Sequence, residues 1–108
     1  MSGKHGTDPE LVVNVSVYTT NLGYTSNNAH RTGYFTAHLT FTLQNGNTVK
    51  RNVEITGITL TSTERIEHFT IGKYDVKVKI TALTSGNSAP QMVILGVSAQ
   101  IIETNPIR

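Results

Sequence analysis

With 108 residues the chain is one domain with room for one core of modest size. Its formal net charge of +2 is too small to imply a nucleic-acid partner, and the absence of cysteine excludes disulfides, thiolate catalysis and Cys-based zinc sites. Threonine and asparagine are abundant and tryptophan is absent, a composition that suits the wet faces of strands.

Residues 1–9 hold Gly3, Gly6 and Pro9 among polar side chains and read as a flexible tail, leaving 10–108 as a single domain. The N-terminus lacks the apolar stretch of a signal peptide and no run is long enough to cross a membrane. A soluble protein made in the cytoplasm is therefore expected, either free there or incorporated in a virion or surface assembly, with no membrane partner. The lack of cysteine suits the cytosol and equally a bacterial or viral particle.

LVVNVSVY, residues 11–18, alternates and predicts a first strand, with Leu11, Val13, Val15 and Val17 on one face and Asn14, Ser16 and Tyr18 on the other. Residues 19–33, TTNLGYTSNNAHRTG, have no period and carry Gly23, Asn27, Asn28 and Gly33, which predicts a long loop. YFTAHLTFTLQ is the cleanest strand. Phe35, Ala37, Leu39, Phe41 and Leu43 face inward, and Tyr34, Thr36, His38, Thr40 and Thr42 face outward. NTVKRNVEI follows with Val49, Val53 and Ile55 inward, and Arg51 interrupts the apolar set as at a sheet edge or rim.

The Asn45-Gly46 pair predicts a turn between these strands. A two-residue loop would set Leu43 opposite Thr48 and oppose an apolar face to a polar one. A three-residue loop over residues 45–47 pairs Leu43 with Val49 and Leu39 with Val53, so the faces agree and a bulged hairpin is preferred. The alternative is a sandwich corner, with the two strands in different sheets.

GITLTS, residues 57–62, predicts a short strand with Ile58 and Leu60 inward. Residues 61–69 are ambiguous. Thr61 and Glu64 have capping-box spacing, and Ile66 and Phe69 stand one helical turn apart, so a single helical turn and a strand are both open. GKYDVKVKITAL predicts a strand with Tyr74, Val76, Val78, Ile80 and Ala82 inward and Lys73, Asp75, Lys77, Lys79 and Thr81 outward. After a loop over residues 84–90, QMVILGVSAQIIE predicts a last strand, apolar on both faces over residues 92–95, and so either covered on both sides or in contact with a partner.

The expected fold is all-β: an antiparallel β-sandwich of six to seven strands with at most one short helical turn. FTIGKYDVKVKI resembles the end of an immunoglobulin-like or fibronectin-type sandwich, where a tyrosine opens the penultimate strand as a tyrosine corner. AHLTFTLQNGNTV is similar to the strand, Asn-Gly, strand passage of bacterial and archaeal surface repeats of that class. The resemblance implies an Ig-like sandwich in which the Tyr74 hydroxyl bonds to backbone a few residues upstream, and it implies no activity.

Nothing in the residue inventory points to catalysis or a cofactor. His5, His30, His38 and His68 are scattered, and Glu64 with His68 gives at most a two-ligand site, so no metal is expected. Hydroxyls lack a strand-turn-helix elbow, carboxylates are sparse and phosphate-binding glycine spacing is missing, so no enzyme is expected. Lys73, Lys77 and Lys79 form a basic stripe, but Asp75 lies within it and no aromatic interleaves it, which favours a solvated, edge-guarding face over an anionic partner. Rows of threonine and the NVS sequon at Asn14 read as ordinary strand chemistry.

The candidate binding residues are Tyr24, Asn27, Asn28, His30, Arg31 and Tyr34, which combine aromatic area with adaptable hydrogen-bonding groups; a solvent-filled loop is the competing reading. Together these features lead to a non-enzymatic protein-binding or structural assembly module, such as a phage or virion subunit or a surface appendage. It would bind a protein partner or self-associate as a homo-oligomer through an exposed strand. The alternative is a small carbohydrate-binding module that takes a glycan on residues 19–34.

Overall fold

A computed structural model of the chain describes residues 8–27, 30–58, 63–84 and 94–107. These residues form six strands: β1 (Val12–Asn27), β2 (His30–Leu43), β3 (Thr48–Ile58), β4 (Thr63–Ile71), β5 (Tyr74–Thr84) and β6 (Ile94–Pro106). They make two three-stranded antiparallel sheets, ordered β1-β2-β3 and β4-β5-β6, in a body measuring 62 × 21 × 16 Å. Each sheet is a meander in which sequence neighbours are also spatial neighbours.

The core lies between the sheets and draws mainly on the two central strands. Phe35, Ala37, Leu39 and Phe41 of β2 face Tyr74, Val76, Val78, Ile80 and Ala82 of β5, all buried. These are the two segments with the cleanest period-two pattern, and a central strand covered on one face shows just that alternation. Ile55 and Ile58 of β3, Ile71 of β4 and Val12 of β1 complete the buried set. Phe41 meets the Phe69 ring at a centroid distance of 5.5 Å and a 58° tilt, the edge-on arrangement favoured by the ring quadrupoles.

Several sequence expectations are altered or completed. Residues 19–27 and 30–33 are not loop: β1 and β2 run through them, with Gly23 opposite Tyr34, Tyr24 opposite Gly33 and Asn27 opposite His30. Backbone pairing needs no apolar period, and a bulge between Thr20 and Gly23 breaks the little alternation present. Of the residues expected inward at the start of the chain, Leu11, Val15 and Val17 pack on the core, but Val13 is 50% exposed and Val12 is buried instead, because a bulge falls between Val12 and Asn14. Of the strand and the helical turn left open for residues 61–69, the structure has strand over Thr63–Ile71. The ladder with β5 sets Phe69 opposite Val76, and Ile66, which a helical turn would stack near Phe69, is 47% exposed. Ile58 ends β3 and is buried, while Leu60 lies outside the described residues.

The β2–β3 hairpin is a bulged three-residue loop within one sheet, so the sandwich-corner alternative does not hold. The loop residues are Gln44, Asn45 and Gly46, one position earlier than the spacing suggested. Gly46 donates its amide to the Leu43 carbonyl at 2.8 Å, and the Leu43 amide donates to the Asn47 carbonyl at 2.8 Å. Gly46 takes φ +92°, the left-handed position that closes such a loop. Phe41 therefore pairs with Val49 and Ala37 with Val53, each two positions from the expected partner. A shift of two preserves the face, which is why inward and outward assignments survive.

The two edges of the sandwich are closed differently. β1 and β6 approach closely, whereas β3 and β4 stand further apart. There the alternation that buries Ile71 and half-buries Phe69 also turns Arg65 and Glu67 toward the seam, an edge-strand device that discourages pairing with other chains. Two arginines cross this seam reciprocally. Arg51 of β3 donates to the Thr70 carbonyl at 3.3 Å, and Arg65 of β4 donates to the Thr56 carbonyl at 2.7 Å. Replacing both with alanine is expected to cost about 1 kcal/mol each, read as a fall in urea midpoint without a change of slope.

Of β6, Val97, Ala99 and Ile101 pack on the core while Gly96, Ser98 and Gln100 face solvent. The segment expected to be apolar on both faces, residues 92–95, lies outside the described side chains.

Candidate functional site

The sites suggested by the sequence fall at one end of the long first hairpin. Tyr24, Asn27, His30 and Arg31 belong to paired strand, with Asn27 beside His30 and Ser26 beside Arg31, while Asn28 and the side chains of residues 24–32 lie outside those described. Tyr34 is placed fully: it points from β2 to the outer face of the first sheet and is 40% exposed. Its ring lies over Gly23, where any Cβ would collide with it. An aromatic ring covering a cross-strand glycine is held in place by the missing side chain.

Below Tyr34 the outer face of the first sheet carries groups that the sequence did not single out. Tyr18 stacks on His38 at a centroid distance of 4.7 Å and 12° between planes. His38 donates from Nδ1 to Asn52 Oδ1 at 2.9 Å, and its Nε2 accepts from the Thr20 hydroxyl at 2.6 Å. Tyr18, His38 and Asn52 occupy one row of the register across β1, β2 and β3, so the fold delivers this cluster directly. The only sequence signal was the outward position of Tyr18 and His38 on two alternating strands; which strands pair, and in which register, was needed to join them.

Thr20, His38 and Asn52 follow the order of nucleophile, base and orienting group. A hydrolytic role would also need donors aimed at an oxyanion beside the Thr20 hydroxyl. Tyr18, His38 and Asn52 lie in paired ladder, and Thr20 is the last pair before the β1 bulge. The row instead fixes the Tyr18 ring, which remains 62% exposed above a locked imidazole.

Two bulges flank a depression on the same face. On β1, Asn21 and Leu22 intervene between the Thr20–Thr36 and Gly23–Tyr34 pairs, with Asn21 at φ 55°. On β3, Thr56 and Gly57 are both opposite Tyr34. Between them lies a cavity of about 270 Å³ lined by Asn21, Tyr34, Phe35, Thr36, Glu54 and Thr56. Asn21 Nδ2 donates to Thr36 Oγ1 at 3.4 Å, and the bulge is what turns that amide onto this face.

The outer face of the second sheet is different in kind. Lys77 pairs with Glu103 at 3.2 Å, Lys79 with Glu64 at 3.9 Å and His68 with Asp75 at 3.9 Å. Asn105, then Lys77, holds the Glu103 carboxyl below its usual range. Lys77 and Lys79 of the basic stripe thus face carboxylates on their own sheet at the protein surface, each ion pair worth little. Glu64 and His68 have separate partners and stand four strand positions apart, roughly 13 Å. Among the described residues no three His, Cys, Asp or Glu side chains converge as a metal set.

At the opposite end of the sandwich, Tyr74 donates its hydroxyl to the Asp8 carboxylate, and Lys73 lies 3.2 Å from the same oxygen. The bond expected from a tyrosine corner, to backbone upstream of Tyr74, is replaced by this long-range link. Asp8 and Pro9 are therefore held: the Pro9 carbonyl accepts from Asn45 at 3.0 Å and the Leu11 carbonyl from Gln44 at 2.7 Å. Residues 1–7 lie outside those described.

The chain matches no protein-family model, no curated protein and no solved structure.

Proposed function

We propose that the chain is a non-enzymatic β-sandwich subunit that binds protein surfaces within a larger assembly, such as a virion or a surface appendage. Its contact would be the upper end of the β1–β2 ribbon, and the most economical partner is a second copy. One observation carries this reading. The described pairing of β2 with β3 ends at Gly33 and Ile58, yet β1 and β2 continue for three more pairs, to Asn27 and His30. Among the described residues this stretch is a two-stranded ribbon, which is marginal in water by itself and whose outer edges offer amides and carbonyls to a neighbouring chain. The aromatic, amide, imidazole and guanidinium groups that the sequence places on this ribbon suit adaptable recognition.

The immunoglobulin-like relationship is a proposal at the level of fold only. The Tyr74 position supports it, while consecutive meanders differ from the Greek-key order of that class.

Light scattering tests the reading. The full chain is expected to form a defined oligomer, and replacing residues 25–32 with a two-residue Asn-Gly turn is expected to yield a monomer that melts within a few degrees of the parent. A full chain that stays monomeric at high concentration, or an oligomer that survives the replacement, overturns it.

A further inference from the structure

We propose that the outer face of the first sheet is an oligosaccharide-binding track, with one sugar ring seated in the depression beside Tyr34 and the chain running along β2 toward Tyr18. This site is separate from the ribbon and does not rest on the assembly reading.

The depression is shaped by two independent bulges at one level of the sheet, on β1 and β3. At about 270 Å³ it is near the lower limit for small-ligand pockets, a size suited to a single ring whose other groups remain in solvent. Its wall is a half-exposed aromatic ring braced against a glycine, which offers a rigid apolar surface for the C–H face of a sugar. Its rim carries the Glu54 carboxylate and the Tyr34 and Thr56 hydroxyls, none of which bonds another protein side chain among the described residues. Carboxylate, amide and hydroxyl groups around a ring supply the mixed acceptors and donors that a polyhydroxylated, uncharged ligand can satisfy.

The second platform is Tyr18. It lies level with His38, four residues along β2 from Tyr34, so the two rings are separated by roughly 13 Å along the strand. Thr20 and Thr36, a cross-strand pair, lie between them. A span of that length passes over more than one sugar ring, which selects an oligosaccharide over a monosaccharide. The charge pattern agrees. The lysines of the second sheet are paired with carboxylates on their own face, whereas the track is dominated by neutral hydroxyl, amide and aromatic groups.

The test uses the full chain with neutral glucans, mannans, galactans and chito-oligosaccharides of one to six units, followed by NMR shift mapping and calorimetry. At least one series is expected to give saturable shifts at Asn21, Tyr34, Thr36, Glu54 and Thr56, with affinity rising from one unit to four. Tyr34→Ala is expected to weaken binding at every length by about tenfold or more, equivalent to about 1.4 kcal/mol. Tyr18→Ala should weaken only the longer ligands, and Lys77→Ala, on the other sheet, should change nothing. Thermal melts of each variant separate lost binding from lost folding. The proposal is overturned by the absence of site-specific shifts across all four series, by binding that ignores Tyr34→Ala, or by shifts confined to the ribbon. It is equally overturned if methylguanidinium, and no sugar, perturbs Glu54 and Tyr34, which would make the depression a seat for a cationic side chain.

Discussion

Phe41→Ala is expected to lower stability by about 3–5 kcal/mol, much of the 5–15 kcal/mol typical of a whole domain, with a Tm decrease of roughly 12–20 °C. Phe41 is fully buried near the C-terminal end of β2 and contacts the Phe69 ring across the sandwich. Removing the ring deletes its transfer free energy and leaves a cavity that two stiff sheets close only in part. The neighbours on β2, Leu39 and Ala37, are themselves almost completely buried, and the flanking ladders to β1 and β3 resist inward movement. Phe41→Leu retains most of the apolar volume and should recover more than half of the loss. Urea denaturation of the three proteins measures this. If Phe41→Ala costs less than 1 kcal/mol, the described core is not the one that holds the fold.

Asp8→Asn is expected to lower Tm near neutral pH and to flatten the acid side of the stability profile. The Tyr74 hydroxyl, then the Glu10 amide and the Lys73 ammonium, hold the Asp8 carboxyl below its ordinary value. A carboxyl with a depressed folded pKa contributes stability that is complete above its unfolded value, about 4, and is lost as pH falls through the folded value. The bond to Asp8, followed by burial, raises the Tyr74 pKa, and the same carboxylate raises that of Lys73. These two contributions have the opposite sense: complete below the unfolded values near 10, they disappear as pH rises through the folded ones. The link is therefore strongest between about pH 4 and pH 10. Asparagine keeps an acceptor for the Tyr74 hydroxyl but loses the ion pair, so Tm of the variant should vary less than that of the parent between pH 2 and 5, about one unit or two either side of the ordinary carboxylate value. Melting curves at fixed ionic strength provide the comparison. An unchanged acid limb in the variant would show that other carboxylates govern it.

How much of this molecule was legible in its sequence depended on whether a side chain or a backbone made the decision. In β2 and β5 strict alternation identified the strand, its inward set and its outward set, because a central strand with one wet face has no freedom to do otherwise. In residues 19–27 and 30–33 the backbone decided. Cross-strand hydrogen bonds extend β1 and β2 through polar residues that carry no periodic signal. In β4 the edge position admits Arg65 and Glu67 on the inner face, so the apolar residues that remained mimicked helical spacing.

The candidate site was legible only in part for the same reason. Tyr34 could be read as an outward aromatic residue, but its partners Asn21, Glu54 and Thr56 come from two other strands and from bulges that no local pattern reveals. The link between Asp8 and Tyr74, 66 residues apart, has no local signature at all.

By itself the sequence determined that the chain is all-β, which faces of its central strands are buried, and that Asn45 and Gly46 turn the chain between β2 and β3. These follow from interactions between near neighbours: alternation about one backbone, and the left-handed conformation that glycine takes freely. Tertiary structure alone decided the pairing of consecutive strands into two meanders, the lengths of β1 and β2, and the bulges that gather Asn21, Tyr34 and Glu54 around one depression. Register and bulge placement are set by contacts between distant segments, where many pairings satisfy the same local pattern and only the packed sandwich selects one.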